Sequence, residues 1–190
     1  MIPRDAANAA EEICRLAPVI PVLVVHDVAH AIPLAEALIK GGLPALEVTL
    51  RTPAALEVIA EMKKVEGAIV GAGTVTNAGE LDASINAGAE FIVSPGLSDD
   101  LGHAAIKANI PFLPGVATAA DIMRGLDLGL NHFKFFPAVA NGGIPALKSL
   151  AGPFGQCKFC PTGGITEKTA QDWLALDYVL CVGGSWVMRA

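Results

Sequence analysis

The chain has 190 residues, a mass of 19.5 kDa and a formal net charge of −6, from 13 basic and 19 acidic residues. This length predicts one domain spanning residues 1–190, able to bury roughly 70% of the surface its unfolded form exposes without covalent staples. The acidic balance argues against a nucleic-acid partner, and 53% hydrophobic residues with only 17% charged excludes a disordered chain.

Ala6–Leu16 reads as a helix placed ahead of the first strand. Short β-like runs then recur at Val19–Val25, Ala45–Leu50, Ala68–Gly73, Phe91–Ser94, Pro111–Leu113, His132–Phe136, Lys158–Pro161 and Tyr178–Val182, with centres about 20 to 25 residues apart. Helical segments fill the intervals, among them Ala29–Lys40, Pro53–Val65, Ala78–Gly88, Asp99–Asn109 and Ala119–Leu128. Several open on a capping residue or a helix-starting proline: Thr52-Pro53, Asn77, Ser98, Thr118 and Thr166. Several close on glycine, at Gly41, Gly67, Gly88 and Gly129.

Repeated strand–helix units require crossover connections and a parallel sheet. Eight strands at this spacing predict a (β/α)8 TIM barrel of the α/β class, with the N-terminal helix covering its bottom. The eighth strand ends near Gly183-Gly184 and the sequence stops at Ala190, so the final C-terminal helix is expected to be missing.

Mean hydropathy is +0.52, which raises a membrane reading. Long uncharged stretches such as Phe135–Leu147 and Ala108–Ala120 carry Pro and Gly and fall short of the ~18 apolar residues a spanning helix needs. Met1-Ile2-Pro3-Arg4-Asp5 is not a basic segment leading into an apolar run, so no signal peptide is read and a cytoplasmic location is expected. The apolar excess fits strands buried on both faces. Cys14, Cys157, Cys160 and Cys181 read as buried small hydrophobes. Cys157 and Cys160 have C-x-x-C spacing, but residues three apart in a strand point to opposite faces, and no second pair or paired His accompanies them.

The second strand runs Ala45-Leu46-Glu47-Val48-Thr49-Leu50-Arg51. Alternation puts Leu46, Val48 and Leu50 on one face and Glu47, Thr49 and Arg51 on the other. Glu47 and Arg51 then point inward near the end of a strand where barrel active sites sit, although a structural ion pair would look the same. In the sixth strand His132, Lys134 and Phe136 share a face. A lysine among phenylalanines is costly to bury charged, and a neutral amine is what attack on a ketone requires. The second and sixth strands lie opposite each other in an eight-stranded barrel, so Glu47 and Lys134 can face one substrate, or simply pair.

Three glycine-rich turns look built for an anion: Gly71-Ala72-Gly73-Thr74, Pro161-Thr162-Gly163-Gly164-Ile165 and Gly183-Gly184-Ser185. The last two follow the seventh and eighth strands, the usual phosphate site of this architecture. His26, His30, His103 and His132 do not form a ligand set, so no metal is expected. Neither a Walker A loop nor a G-x-G-x-x-G after the first strand is present.

Seven stretches in order across nearly the whole chain carry a resemblance: LEVTLRT (46–52), VGAGTV (70–75), SPGL (94–97), FKFFPA (133–138), NGG (141–143), FCPTGGI (159–165) and CVGGSW (181–186). Together they resemble the 2-keto-3-deoxy-6-phosphogluconate (KDPG) aldolase family, also described as 4-hydroxy-2-oxoglutarate (KHG) aldolase. The resemblance implies a class I lyase without a separate cofactor, working through a covalent imine on Lys134, with Glu47 as general acid/base. It implies Arg51 and Thr74 as carboxylate-holding residues, and Phe136 and Pro95 as the lining of the pyruvyl pocket. Thr162 would meet the substrate hydroxyls, and Gly163, Gly164 and Ser185 the phosphate. The implied substrate is the phosphorylated six-carbon keto acid, giving pyruvate and glyceraldehyde 3-phosphate, with 4-hydroxy-2-oxoglutarate as a second. The implied assembly is a homotrimer. A phosphate-binding epimerase or synthase without imine chemistry is the competing enzyme reading, and a metabolite sensor the non-enzymatic one. Both would leave a buried Lys134 opposite Glu47 without a task.

Overall fold

The computed structural model describes residues 3–188. In chain order the elements are α1 (Pro3–Arg15), β1 (Val19–Leu23), a 3-10 turn (Val28–His30), α2 (Ala31–Lys40), β2 (Ala45–Thr49), α3 (Ala55–Met62), β3 (Ile69–Gly73), α4 (Ala78–Asn86), β4 (Phe91–Val93), α5 (Asp99–Ala108), β5 (Phe112–Leu113), β6 (Gly115–Val116), α6 (Ala119–Asp127), β7 (His132–Phe135), α7 (Gly143–Ala151), β8 (Lys158–Pro161), α8 (Glu167–Leu174), β9 (Val182–Gly184) and a second 3-10 turn (Trp186–Met188).

The expected closed eight-stranded TIM barrel does not form. The strands divide into a six-stranded parallel half-barrel sheet, ordered β5-β4-β3-β2-β1-β9, and a three-stranded parallel sheet, ordered β6-β7-β8. One break has a visible cause. The fifth predicted run, Pro111–Leu113, ends at Pro114, which has no N–H to give to a ladder; β5 before it pairs with β4, and β6, an unexpected dipeptide after it, pairs with β7. At the other seam only the isolated bridges Phe159↔Val179 and Thr162↔Gly183 connect β8 to the chain around β9. The last strand also shifts. Its ladder with β1 pairs Val19 with Val182, Ile20 with Gly183 and Pro21 with Gly184, so the glycines expected in a turn lie in the strand. After β9 the described chain continues as the short 3-10 turn rather than as a helix.

Period-two alternation still sorts the strands into two packed faces. Leu46, Val48, Val70, Ile92, Phe112, Phe133, Phe135 and Phe159 join the larger core cluster with buried residues of the helices. Ile20, Ala45, Phe91, Val93, Leu113, Cys160 and Cys181 join a second, inner cluster. Strands from both sheets supply it, so the sheets face a shared interior. α1 sends Cys14 into that cluster, the placement expected of a helix covering one end of the strands. All four cysteines are free and buried.

The helices begin where the cap signals placed them, with one exception. Asn77, Ser98 and Thr118 accept hydrogen bonds from backbone N–H groups in the first turns of α4, α5 and α6, and Thr118 and Thr166 form capping boxes. Thr52 does not cap α3. Its hydroxyl donates to Val25 O at 2.7 Å, while Thr49 donates to Leu23 O at 2.8 Å. Two hydroxyls therefore tie the end of β2 to β1 and its exit. Such side chain–backbone bonds contribute about 1 kcal/mol each.

Candidate active site

β2 and β7 belong to different sheets, and each sends one charged side chain inward. Lys134 Nζ donates to Glu47 Oε1 at 3.1 Å, and the residues are 5% and 3% exposed. At that burial neither charge has water to replace its partner, so each holds the other. The three phenylalanines around Lys134 separate by face. Phe133 and Phe135 enter the helix-side core, and only the Phe136 ring faces the amine, with its centroid 5.1 Å from Nζ.

Two of the other expected site residues are brought beside Lys134 through the sheet. Gly115 is the register partner of Lys134 on β6, and the Pro95 carbonyl packs where a Gly115 side chain would stand. Cys160 is the partner of Lys134 on β8, and Thr162 lies two residues beyond it, 5% exposed. The Thr162 hydroxyl occupies the space a side chain at Gly183 would fill.

The glycine segments differ in kind. Gly163 and Gly164 form a true turn, with φ of +103° and +78°. Gly71 and Gly73 lie inside β3 instead of in a turn after it. Thr74, directly after β3, has φ +61°, a left-handed conformation that a β-branched residue adopts only under constraint. Ser185 is exposed between β9 and the last 3-10 turn, and the Thr162↔Gly183 bridge sets its segment beside the Gly163-Gly164 turn.

Arg51 is not where alternation placed it. β2 ends at Thr49, and Arg51 follows it in an exposed turn, with no ion pair or hydrogen bond to its guanidinium among the described residues. It stands at the rim and does not share the buried pair. Among the described residues, no group of three or more His, Cys, Asp or Glu is arranged to hold a metal ion.

Other contacts at this end were not legible from residue types. Asn141 Nδ2 donates to Ala117 O at 2.9 Å, joining the chain after β7 to the chain after β6. Ala138 N and Val139 N donate to Thr162 O and Gly163 O at 2.8 and 3.0 Å, and Val139 packs on Gly164. Only the NGG resemblance pointed to Asn141, and it gave no role.

A family model described as KDPG and KHG aldolase matches residues 10–190. A relative from Zymomonas mobilis subsp. mobilis strain ZM4, a 2-dehydro-3-deoxy-phosphogluconate aldolase, is 61% identical over 180 residues, covering 95% of this chain and 86% of that protein. The crystal structure of the Z. mobilis ZM4 2-keto-3-deoxy-6-phosphogluconate aldolase with 3-phosphoglycerate superposes with a TM-score of 0.94 at 60% identity, covering 95% of this chain and 87% of that one. The KDPG aldolase of Legionella pneumophila, with pyruvate captured at low pH as a covalent carbinolamine intermediate, gives 0.92 at 48% identity, covering 95% and 88%.

Proposed function

The chain belongs to the KDPG and KHG aldolase family and is a class I aldolase, a lyase; on that premise we propose that Lys134 is its imine-forming nucleophile and Glu47 its general acid/base. The observation that carries this is the buried contact of 3.1 Å between Lys134 Nζ and Glu47 Oε1. The proposed substrate is 2-keto-3-deoxy-6-phosphogluconate, with 4-hydroxy-2-oxoglutarate as a second.

The ion pair supplies the first proton transfer. Glu47 takes a proton from the Lys134 ammonium, and the free amine attacks C2 of the keto acid. Glu47 gives that proton to the carbinolamine hydroxyl, which leaves as water to give an iminium and a carboxylate once more. Glu47, directly or through water, then removes the proton of the C4 hydroxyl. The C3–C4 bond breaks, its electron pair moves into the iminium to form an enamine, and glyceraldehyde 3-phosphate departs. Glu47 returns a proton to C3, and hydrolysis frees pyruvate and Lys134. Phe136, one face of its ring toward Nζ, favours the cationic stages.

Around this centre Arg51 and Thr74 hold the keto-acid carboxylate, and Pro95 and Phe136 line the pyruvyl pocket. Thr162 meets the substrate hydroxyls. Gly163, Gly164 and Ser185 receive the phosphate, a role supported by the left-handed glycine turn, whose backbone a ligand can approach closely. A homotrimer and a cytoplasmic location belong to the same reading. No helix among the described residues is long and apolar enough to cross a membrane. Light scattering of the purified chain tests the trimer.

The decisive experiment incubates the protein with pyruvate, adds sodium borohydride, and reads intact mass and a peptide map. A reduced pyruvyl adduct on Lys134 is expected. An adduct on another lysine, or none in a folded sample that cleaves the substrate, would overturn the assignment.

A further inference from the structure

β3 sends no side chain into the interior beside Glu47. Its inward positions are Ile69, which packs on the inner cluster beside Ala45, then Gly71, the register partner of Glu47, and Gly73. Neither glycine has the positive φ that would require glycine for conformational reasons. A glycine inside a strand weakens it, so two in alternate positions mark a close approach by something else. At Gly71 a methyl group would run into the Phe91 ring. At Gly73 it would overlap Glu47 Oε1 and lie 2.6 Å from Cγ and 2.8 Å from Cδ. That Oε1 is the oxygen that accepts from Lys134.

We propose that Gly73 is a positioning residue for the acid/base step: its missing side chain is the seat that holds the Glu47 carboxyl against Lys134. The inference rests on the reading of Glu47 as acid/base. On the other side of β2, Val22 of β1 is the register partner of Glu47 and presents a full side chain. The carboxyl therefore leans toward β3, where the glycine leaves room. Thr162 over Gly183 is built the same way, a polar side chain lodged on a neighbouring strand's glycine.

The test uses the full chain and three variants: Gly73→Ala, Gly73→Ala combined with Glu47→Asp, and Glu47→Gln, each compared with wild type and with Glu47→Asp alone. The readouts are melting temperature, borohydride trapping of pyruvate, deuterium uptake at pyruvate C3, and kcat and KM for aldol cleavage. In Gly73→Ala, the final extent of trapping should stay within about threefold of wild type, though it is reached more slowly, while kcat and deuterium uptake fall by about 50-fold or more, with KM nearly unchanged. In the Glu47→Asp background, whose carboxyl is retracted by one methylene, the same alanine should cost less than about threefold. Equal fold-losses in the two backgrounds would make Gly73 a packing residue and overturn the proposal. Near wild-type kcat in Gly73→Ala would also overturn it. If Gly73→Ala does not fold but the double variant does, the clash with the carboxyl is supported directly. If neither folds, the proposal falls. Loss of turnover in Glu47→Gln with turnover kept in Gly73→Ala removes the seat alone, whereas turnover kept in Glu47→Gln removes the assignment of Glu47 itself.

Discussion

Lys134 on β7 and Glu47 on β2 join two sheets that share no continuous ladder, meeting at 3.1 Å in their common interior. A pair that served only to hold the sheets together would be an expensive choice, because well-packed apolar residues of similar volume stabilise as well or better. Its placement makes chemical sense if the proton shared between the groups is used.

Glu47→Gln keeps the shape and the contact but removes the base. The variant should still be trapped on Lys134 by pyruvate and borohydride, more slowly than wild type. Its aldol cleavage should fall by roughly 10²- to 10⁴-fold, the usual contribution of a positioned acid/base. Steady-state cleavage measured beside the trapping assay checks this, and turnover within a few-fold of wild type would reassign the base.

Arg51→Lys should leave the melting temperature unchanged, because the side chain is exposed and holds nothing in place among the described residues. The planar guanidinium fork suits a carboxylate better than an ammonium does. Loss of one charged hydrogen bond, about 1.5–3 kcal/mol, should raise the pyruvate concentration needed for half-maximal trapping by roughly 10- to 100-fold. An unchanged concentration dependence would remove Arg51 from the carboxylate site.

The candidate site was legible in the sequence wherever a period of two decides the outcome. Glu47 on β2 and Lys134 on β7 face the interior because alternation within short strands leaves them no other direction, and Phe136, one residue beyond β7, still turns its ring to the Lys134 amine. Arg51 was misplaced because alternation was carried two residues beyond the strand, and β2 ends at Thr49. The strands and helices were legible for the same reason and through their caps, but the closure of the sheet was not. That depended on Pro114 separating β5 from the unexpected β6 and on Gly183 and Gly184 pairing with β1 instead of turning away from it. A Gly-Gly pair reads alike in a turn and in a close-packed strand. Only the neighbours that fill the missing side chains tell them apart.

The four cysteines should behave as core residues. All are free and buried, and burial pushes the Cys157 thiol up to about 11. Cys181 is raised as well, first by its contact with Cys14, then by Cys160 and by burial. The thiolate is the reactive form, so native protein should react with a disulfide reagent such as DTNB only as fast as it unfolds, and denatured protein should release four equivalents. A thiol that titrates rapidly in the native state would contradict the burial.

His132 gives the fold a pH dependence separate from catalysis. It is buried at the start of β7, 5% exposed, with Nε2 3.2 Å from Glu11 Oε2 on α1. That contact falls short of well-aligned hydrogen-bond geometry, and Nδ1 has no partner among the described residues. Burial holds its pKa below the ordinary 6.5 despite the Glu11 carboxylate, with Arg15 and Lys158 adding to the lowering. Glu11 is itself held below 4.5, first by its hydrogen bond from Arg15, so it stays ionised near neutrality. As pH falls through 6.5 the unfolded chain binds a proton on this histidine before the folded chain does. Stability from this group is therefore complete above 6.5 and is lost as pH falls toward the folded value. The melting temperature of wild type should drop between about pH 7.5 and about pH 5.5, and His132→Gln should flatten that drop without changing borohydride trapping on Lys134 at pH 7.5. Parallel melting curves for the two proteins across this range would show that His132 does not titrate differently in the folded and unfolded states.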